Sequence, residues 1–484
     1  ERMVYKVLSA FEHVVNIAAF FKEPDILNNA VVSLCKSLRR QTELLAGLIE
    51  RAGPAAAFRD STSKKALQIV QALFKIVHKN FSMLQDAWLN IIECVVLLNR
   101  GQLNLLPVEL TDVDDFYDAS GKPLPSSVSQ LAAAQQHRAG HGEEELSFLS
   151  LFYPPVEEEI EQQRAADQEA EVAMRAAVAT CNISGIFVAS KTLSAEALPH
   201  LVNALLKCTG SHTADASDGS NSSDGGNGRG GAGKVFSEEL LSQIYCLEWL
   251  TNVCRHNQFR MDVLWPLVSS FFQSGLAAGA SGTAGSAAGK HRLFLERIVV
   301  SILRLCCYFE ESHVVSSPRG PRSPVDTLFA TLRPICATLV PVSPQSGSGG
   351  AAAPELARAL PDSVVLALGS RVTAGLLMLL RSNSSMLREA GSWEMVFELC
   401  QRYAGQPTSQ QCALESLHYI ITNHHELYVG PGPRFMKVLL NVAATASKAS
   451  PTERSHTLVD SLVHMHETLG STLPRPAADT AAAG

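Results

Sequence analysis

Apolar residues recur along this chain at the three- and four-residue spacing that places them on one face of a helix. Val4, Leu8, Phe11, Val14 or Val15 and Ala18 follow it, as do Leu67, Val70, Phe74, Val77 and Phe81. Leu240, Ile244, Leu247, Leu250 and Cys254 repeat it, and Leu293, Leu295, Val299, Ile302 and Leu305 do so again. Leu376, Leu379 and Leu380, then Leu414, Leu417, Ile420 and Ile421, carry it toward the C-terminus. No alternating apolar and polar run of the kind a half-buried strand needs stands out, so the pattern predicts an all-α chain.

Between the periodic stretches lie segments too poor in apolar residues to offset the entropy of ordering them. These are 124–145, the Gly, Ser and Asp run 210–234, the Gly and Ala run 275–289, the segment 341–354 and the tail 471–484. They are expected to be disordered linkers and insertions. They divide the chain into helical blocks over 1–123, 146–209, 235–340 and 355–470.

A weak internal repeat suggests how the helices are organised. Leu73 to Val95 has an apolar helix, then Asn80, then Trp88 eight residues on; Leu250 to Phe272 has Asn257 and Trp265 at the same interval. Leu376 to Leu399 has Asn383, with Trp393 ten residues later. The expected unit is a helix hairpin in which Asn tolerates a left-handed C-cap and Trp opens the second helix. A single hairpin cannot bury its own apolar face, so such units stack into an armadillo/HEAT-like α-solenoid, here of eight to ten hairpins. Chance similarity among Leu-rich helices is the alternative.

Composition narrows the class. Hydrophobic residues make up 46% of the 484 and charged residues 18%, enough for a sizeable core. The net charge of -7 and the lack of a dominant Lys/Arg cluster exclude a broad nucleic-acid footprint. Eleven scattered Cys with no CxxC pair read as small core hydrophobes of a reducing compartment. The apolar run Phe294–Phe309 carries Glu296, Arg297 and Arg304, so a peripheral rather than spanning relation to membranes is expected. Glu1 in place of Met, with a helical pattern already under way, reads as a piece of a longer chain.

Candidate chemistry is thin. Gly228 to Lys234 fits GxxxxGK, but Val235 follows where a phosphate loop needs Ser or Thr, and no buried strand precedes it. The acidic run Asp112–Gly121 puts Tyr117 and Pro123 where a calcium loop needs Gly and Glu, so it reads as a solvated acidic loop. His424 with His425, and His464 with His466, lack metal-site spacing. No catalytic, cofactor-binding or metal-binding residue is expected, and no cofactor. Two surface features remain. The Lys64–Leu84 stretch is a basic amphipathic helix whose Lys64, Lys65, Phe74, Lys75 and Lys79 are candidate lipid contacts, against the plainer reading of a core helix with its lysines in water. Ser317 and Ser323, each before a Pro and flanked by Arg319 and Arg322, are candidate phosphorylation sites in a polar loop.

Several blocks resemble the large Arf guanine-nucleotide exchange factors, above all the Golgi brefeldin A-resistance factor branch that includes the plant GNOM proteins. KKALQIVQALFKIVHKNFSMLQDAWLNIIECVVLLNRGQL, Lys64 to Leu103, resembles the first region downstream of that family's catalytic domain. LLPVELTDVDDFYDASGKPLP, Leu105 to Pro125, resembles its acidic segment. Ala10 to Lys36 is similar to the helices just after the exchange domain, and Cys181 to Leu206 to the start of the next downstream region. The resemblance covers most of the chain to about Phe309 and is weaker over Ser363 to Trp393. It implies a non-catalytic regulatory and membrane-targeting arm acting in Golgi and early secretory vesicle traffic. It implies a cytoplasmic place on Golgi or ER–Golgi intermediate membranes and at lipid droplets. The implied partners are an Arf-type GTPase met through an exchange domain absent from this chain, other proteins, and a second copy by self-association. The family's catalytic loop is not found here. The alternative is a general α-solenoid scaffold unrelated to Arf.

Overall fold

Helix α1 (Arg2–Phe20) and helix α2 (Pro24–Arg59) open the chain in the computed structural model, joined by a tight bend in which Lys22 takes a positive φ of 57°. The structure describes residues 2–99, 116–124, 157–210, 238–280, 286–309, 323–333 and 362–424 without 407, together with 427 and 463. Among these residues there is no strand; a single β-bridge joins Tyr117 and Pro123. The expected all-α class therefore holds for the described residues.

The helices fall into two compact units. The first comprises Glu1–Val113 and Ser127–Phe271, the second Asp114–Ser126 and Phe272–Gly484. In the first, α2 packs against α1, against α3 (Ser61–Asn80), against α4 (Ala87–Asn99) and against α5 (Glu157–Ala179). The short α6 (Ile183–Ala189) leads to α7 (Leu198–Gly210), which lies against α4 and α8 (Glu238–His256). Trp88, Trp249, Phe74 and Phe187 are fully buried in this unit, with the Phe187 and Trp249 rings stacked 4.0 Å apart.

Helix α9 (Met261–Ala280) leads into the second unit, where α10 (Ser286–Cys307) packs on α12 (Asp362–Asn383) and α11 (Pro324–Ala330). Helix α12 also lies against α13 (Ala390–Tyr403) and α14 (Gln410–Asn423). The Gly/Ala run 275–289, expected to be a disordered linker, is largely helical: α9 extends to Ala280 and α10 begins at Ser286. Its alanines explain the difference, because Ala has the best intrinsic helix propensity and holds a helix with little apolar surface to bury. The other expected linkers, and the GRGGAGK stretch, lie outside the described residues.

The three Asn–Trp segments share a corner. The first helix ends at Asn80, at His256 just before Asn257, or at Asn383; a 3₁₀ turn follows (Phe81–Met83, Gln258–Arg260, Ser384–Met386), and the next helix then begins. The mechanism differs from the expected left-handed cap. Asn80, Asn257 and Asn383 have φ of -117°, -118° and -140°, because the 3₁₀ turn continues in the right-handed sense and needs no reversal. Their side chains instead satisfy carbonyls left open at helix ends. Asn80 Nδ2 donates to Ile76 O at 3.0 Å, and Asn257 Nδ2 donates to Val253 O at 2.7 Å. Asn383 Nδ2 reaches the carbonyls of Cys306, Cys307 and Phe309 at the end of α10, at 2.9, 2.8 and 2.8 Å. A left-handed Asn does occur, at Asn182 before α6 (φ 47°). The tryptophans behave unequally. Trp88 is buried edge-on to Phe81 at 5.3 Å, and Trp393 donates through Nε1 to Leu387 O, whereas Trp265 is only half-buried.

Candidate functional site

Helix α3 folds as its pattern requires. Asp60 caps its start by accepting the Thr62 amide at 2.7 Å, and its apolar face, with Ile69, Val70, Leu73, Phe74 and Val77, is buried. That burial overturns one of the lipid-contact candidates: Phe74 has no exposed surface and cannot enter a membrane interface without the helix leaving its partners. The lysines sit on the opposite side. Lys64 is exposed and Lys65 half-exposed. Lys75 Nζ pairs with Glu12 at 2.8 Å, and Lys79 Nζ donates to Asn16 Oδ1 at 2.6 Å, so both are drawn onto the polar side of α1.

Helix α1 carries a run of exposed apolar residues. Leu8, Val15 and Ala18 face the core, while Met3, Val7, Ala10, Val14, Ile17 and Phe21 are exposed. Their spacing of four, three, four, three and four residues draws one continuous stripe along the helix. Met3, Ile17 and Phe21 are 74%, 58% and 67% exposed, and Phe20, at the end of the helix, is 80% exposed. Exposed Lys6 and His13 fall along one edge of the stripe by helical rotation. The stretch Met3–Phe20 is also long and apolar enough, by length and composition, to cross a membrane. The second such stretch, Gln168–Thr192, is broken by the turn at Thr180–Asn182. The α1 window is not an uncharged run, since it carries Lys6 and Glu12.

The remaining candidates resolve differently. Ser317 lies outside the described residues. Ser323 is buried and caps α11, its Oγ accepting the Val325 amide at 3.2 Å; it is a structural cap, not an accessible loop serine. His424 stands beside Trp393 at 5.1 Å, and the other three histidines of the two pairs lie outside the described residues. No cluster of three His, Cys, Asp or Glu able to hold a metal occurs among the described residues. Among the described residues every cysteine but Cys208 is buried, and burial pushes the thiols of Cys254, Cys307 and Cys400 up to about 12.

Residues 116–124 form a tight turn, most of it exposed, and by contacts the stretch 114–126 groups with the second unit. Phe116 is fully buried there. Asp118 Oδ1 accepts the amides of Ser120 and Lys122, each at 2.9 Å, and the Ser120 hydroxyl. Those donors, the Ser120 hydroxyl first, hold the Asp118 carboxyl below its ordinary range. Gly121 takes φ 81°, which a side chain would oppose.

No protein-family model matches the chain, and no solved structure does. Curated proteins do. The ARF guanine-nucleotide exchange factor GNL1 of Arabidopsis thaliana is 23% identical over 469 residues, covering 95% of this chain and 27% of that protein. The exchange factor GNOM of the same plant is 22% identical over 431 residues, 87% of this chain and 25% of its own length. A Caenorhabditis elegans homolog of the Golgi-specific brefeldin A-resistance guanine nucleotide exchange factor 1 is 23% identical over 331 residues, 63% of this chain and 15% of its own. The chain thus spans about a quarter of the length of the two plant relatives. Over most of its length the chain is thus similar to one region of these ARF guanine-nucleotide exchange factors.

Proposed function

We propose that this chain is a non-catalytic regulatory arm of an ARF guanine-nucleotide exchange factor and directs it to Golgi-type membranes. The relatives' printed names supply the ARF substrate and, for one of them, the Golgi. In this reading the arm lies downstream of an exchange domain outside this chain, and that domain meets the Arf-type GTPase. The helices stack as a solenoid that presents surfaces rather than a reaction centre, and the arm stays cytoplasmic and peripheral.

The observation that carries the membrane part is the stripe on α1. Apolar side chains on a helix whose other face is already packed gain by entering the headgroup boundary, and a flanking lysine favours anionic lipid. The contact is therefore α1 rather than α3. Flotation of the purified chain with anionic liposomes and with lipid droplets tests it. The expected outcome is flotation that Ile17→Asp with Phe21→Asp reduces at least tenfold, while Lys64→Glu with Lys65→Glu retains most of it. Equal flotation of the native chain and the α1 variant defeats the proposal. No flotation of either leaves the general protein-binding scaffold as the better reading.

A further inference from the structure

The turn 116–124 is closed by hydrogen bonds among its own residues and seats Phe116 in a groove of the second unit. Within the turn, Asp118 N donates to Lys122 O at 2.8 Å, Gly121 N to Asp118 O at 3.0 Å and Leu124 N to Phe116 O at 2.9 Å. The Asp118 carboxylate gathers three more donors from the same few residues. A peptide so closed on itself is an Asx-type turn that forms locally.

The groove is prepared by other residues. Gly375 on α12 leaves a slot: a Cβ there would stand 2.8 Å from Leu303 Cδ1 of α10 and 2.9 Å from Phe116 Cζ. Arg371 is held by Glu296 of α10, with Nε to Oε1 at 3.0 Å and both side chains buried. Phe116 fills the slot, Arg371 Nη1 donates to Leu124 O at a long 3.5 Å, and the Ala119 amide faces Cys412 of α14. Beside Tyr117 and Asp118 a cavity of about 370 Å³ opens against Leu377, Met378 and Arg381. In sequence, residues of the first unit separate the turn from the rest of the second unit.

We infer that the surface formed by α10, α12 and α14 is a peptide-docking groove, occupied in this chain by its own segment 116–124. Its ligand class is a short peptide with an aromatic residue two positions before an Asp-x-Ser-Gly turn. Another chain carrying that pattern competes for the slot, and the tethered segment sets the threshold such a partner must exceed. The inference does not rest on the membrane reading of α1.

The test uses the full chain with 116–124 replaced by nine Gly/Ser residues, and a fluorescent peptide of residues 114–126 read by anisotropy. The expected result is saturable binding to the replaced chain, at least tenfold weaker binding to the native chain, and loss in the replaced chain carrying Gly375→Leu. A peptide with Phe116→Ala is expected to bind at least tenfold more weakly. Equal binding to native and replaced chains overturns the inference, as does no binding to a replaced chain that keeps its helical circular dichroism. Loss of the helices on replacement also overturns it, since the turn would then be part of the core.

Discussion

Asn383 illustrates how much one amide holds. It draws in three carbonyls at the end of α10 from a position on α12 seventy-odd residues away. Asn383→Ala leaves those groups short of a donor, and the expected cost is about 1–3 kcal/mol, read as a lower urea midpoint at unchanged slope. Phe74→Ala opens a hole in a site with no exposed surface, and about 3–5 kcal/mol is expected. The buried thiols give a pH prediction. Their folded values, near 12, lie above the ordinary 9.0, so the stability they contribute is fully present below pH 9. It is lost as pH rises from 9 toward 12, and thermal melts across that range are expected to fall. Alkylation of native Cys254 at pH 9 should be slower than that of the denatured chain by about five-hundredfold, the ratio of thiolate fractions at that pH for thiols titrating near 12 and at 9.0.

At the scale of elements, the helical spacing was legible because burial of one face is a local constraint repeated every turn. The corners were legible as well, since Asn and Trp recur at near-fixed intervals, but their conformation was not. Whether Asn reverses the chain or caps an end depends on where the 3₁₀ turn sends the next helix. The stripe on α1 stood in the sequence beside the one that packs, and nothing local decides which of the two faces meets α2 and α3. The 116–124 turn carries its own signal in Asp118, Ser120 and Gly121. Its acid lability follows from the depressed Asp118 carboxyl: the turn's share of stability is present above the ordinary carboxylate range and lost as pH falls through the lowered value. Amide exchange of Ser120 and Lys122 is expected to remain protected, relative to the free peptide, from pH 7 down to about pH 4 and to lose that protection below it.

For the whole molecule, two units mean that a core lesion shows where it is made. Removing Glu296 takes the paired carboxylate away from the buried Arg371 guanidinium of the second unit, and Glu296→Ala is expected to cost about 3–5 kcal/mol. Hydrogen exchange should register that loss in α10 and α12, whereas Phe74→Ala should register in α2, α3 and α4.

The sequence by itself determined that this chain is helical, which faces of most helices are apolar, where the chain turns, and which family it resembles, because each is written in residues a few places apart. Only the tertiary structure decided that Phe74 is core and Phe21 surface, that Ser323 is a cap, and that an acidic loop seats its aromatic residue on helices more than 150 residues away. Those outcomes depend on which of several similar apolar faces find one another, and that choice is made by packing between distant segments.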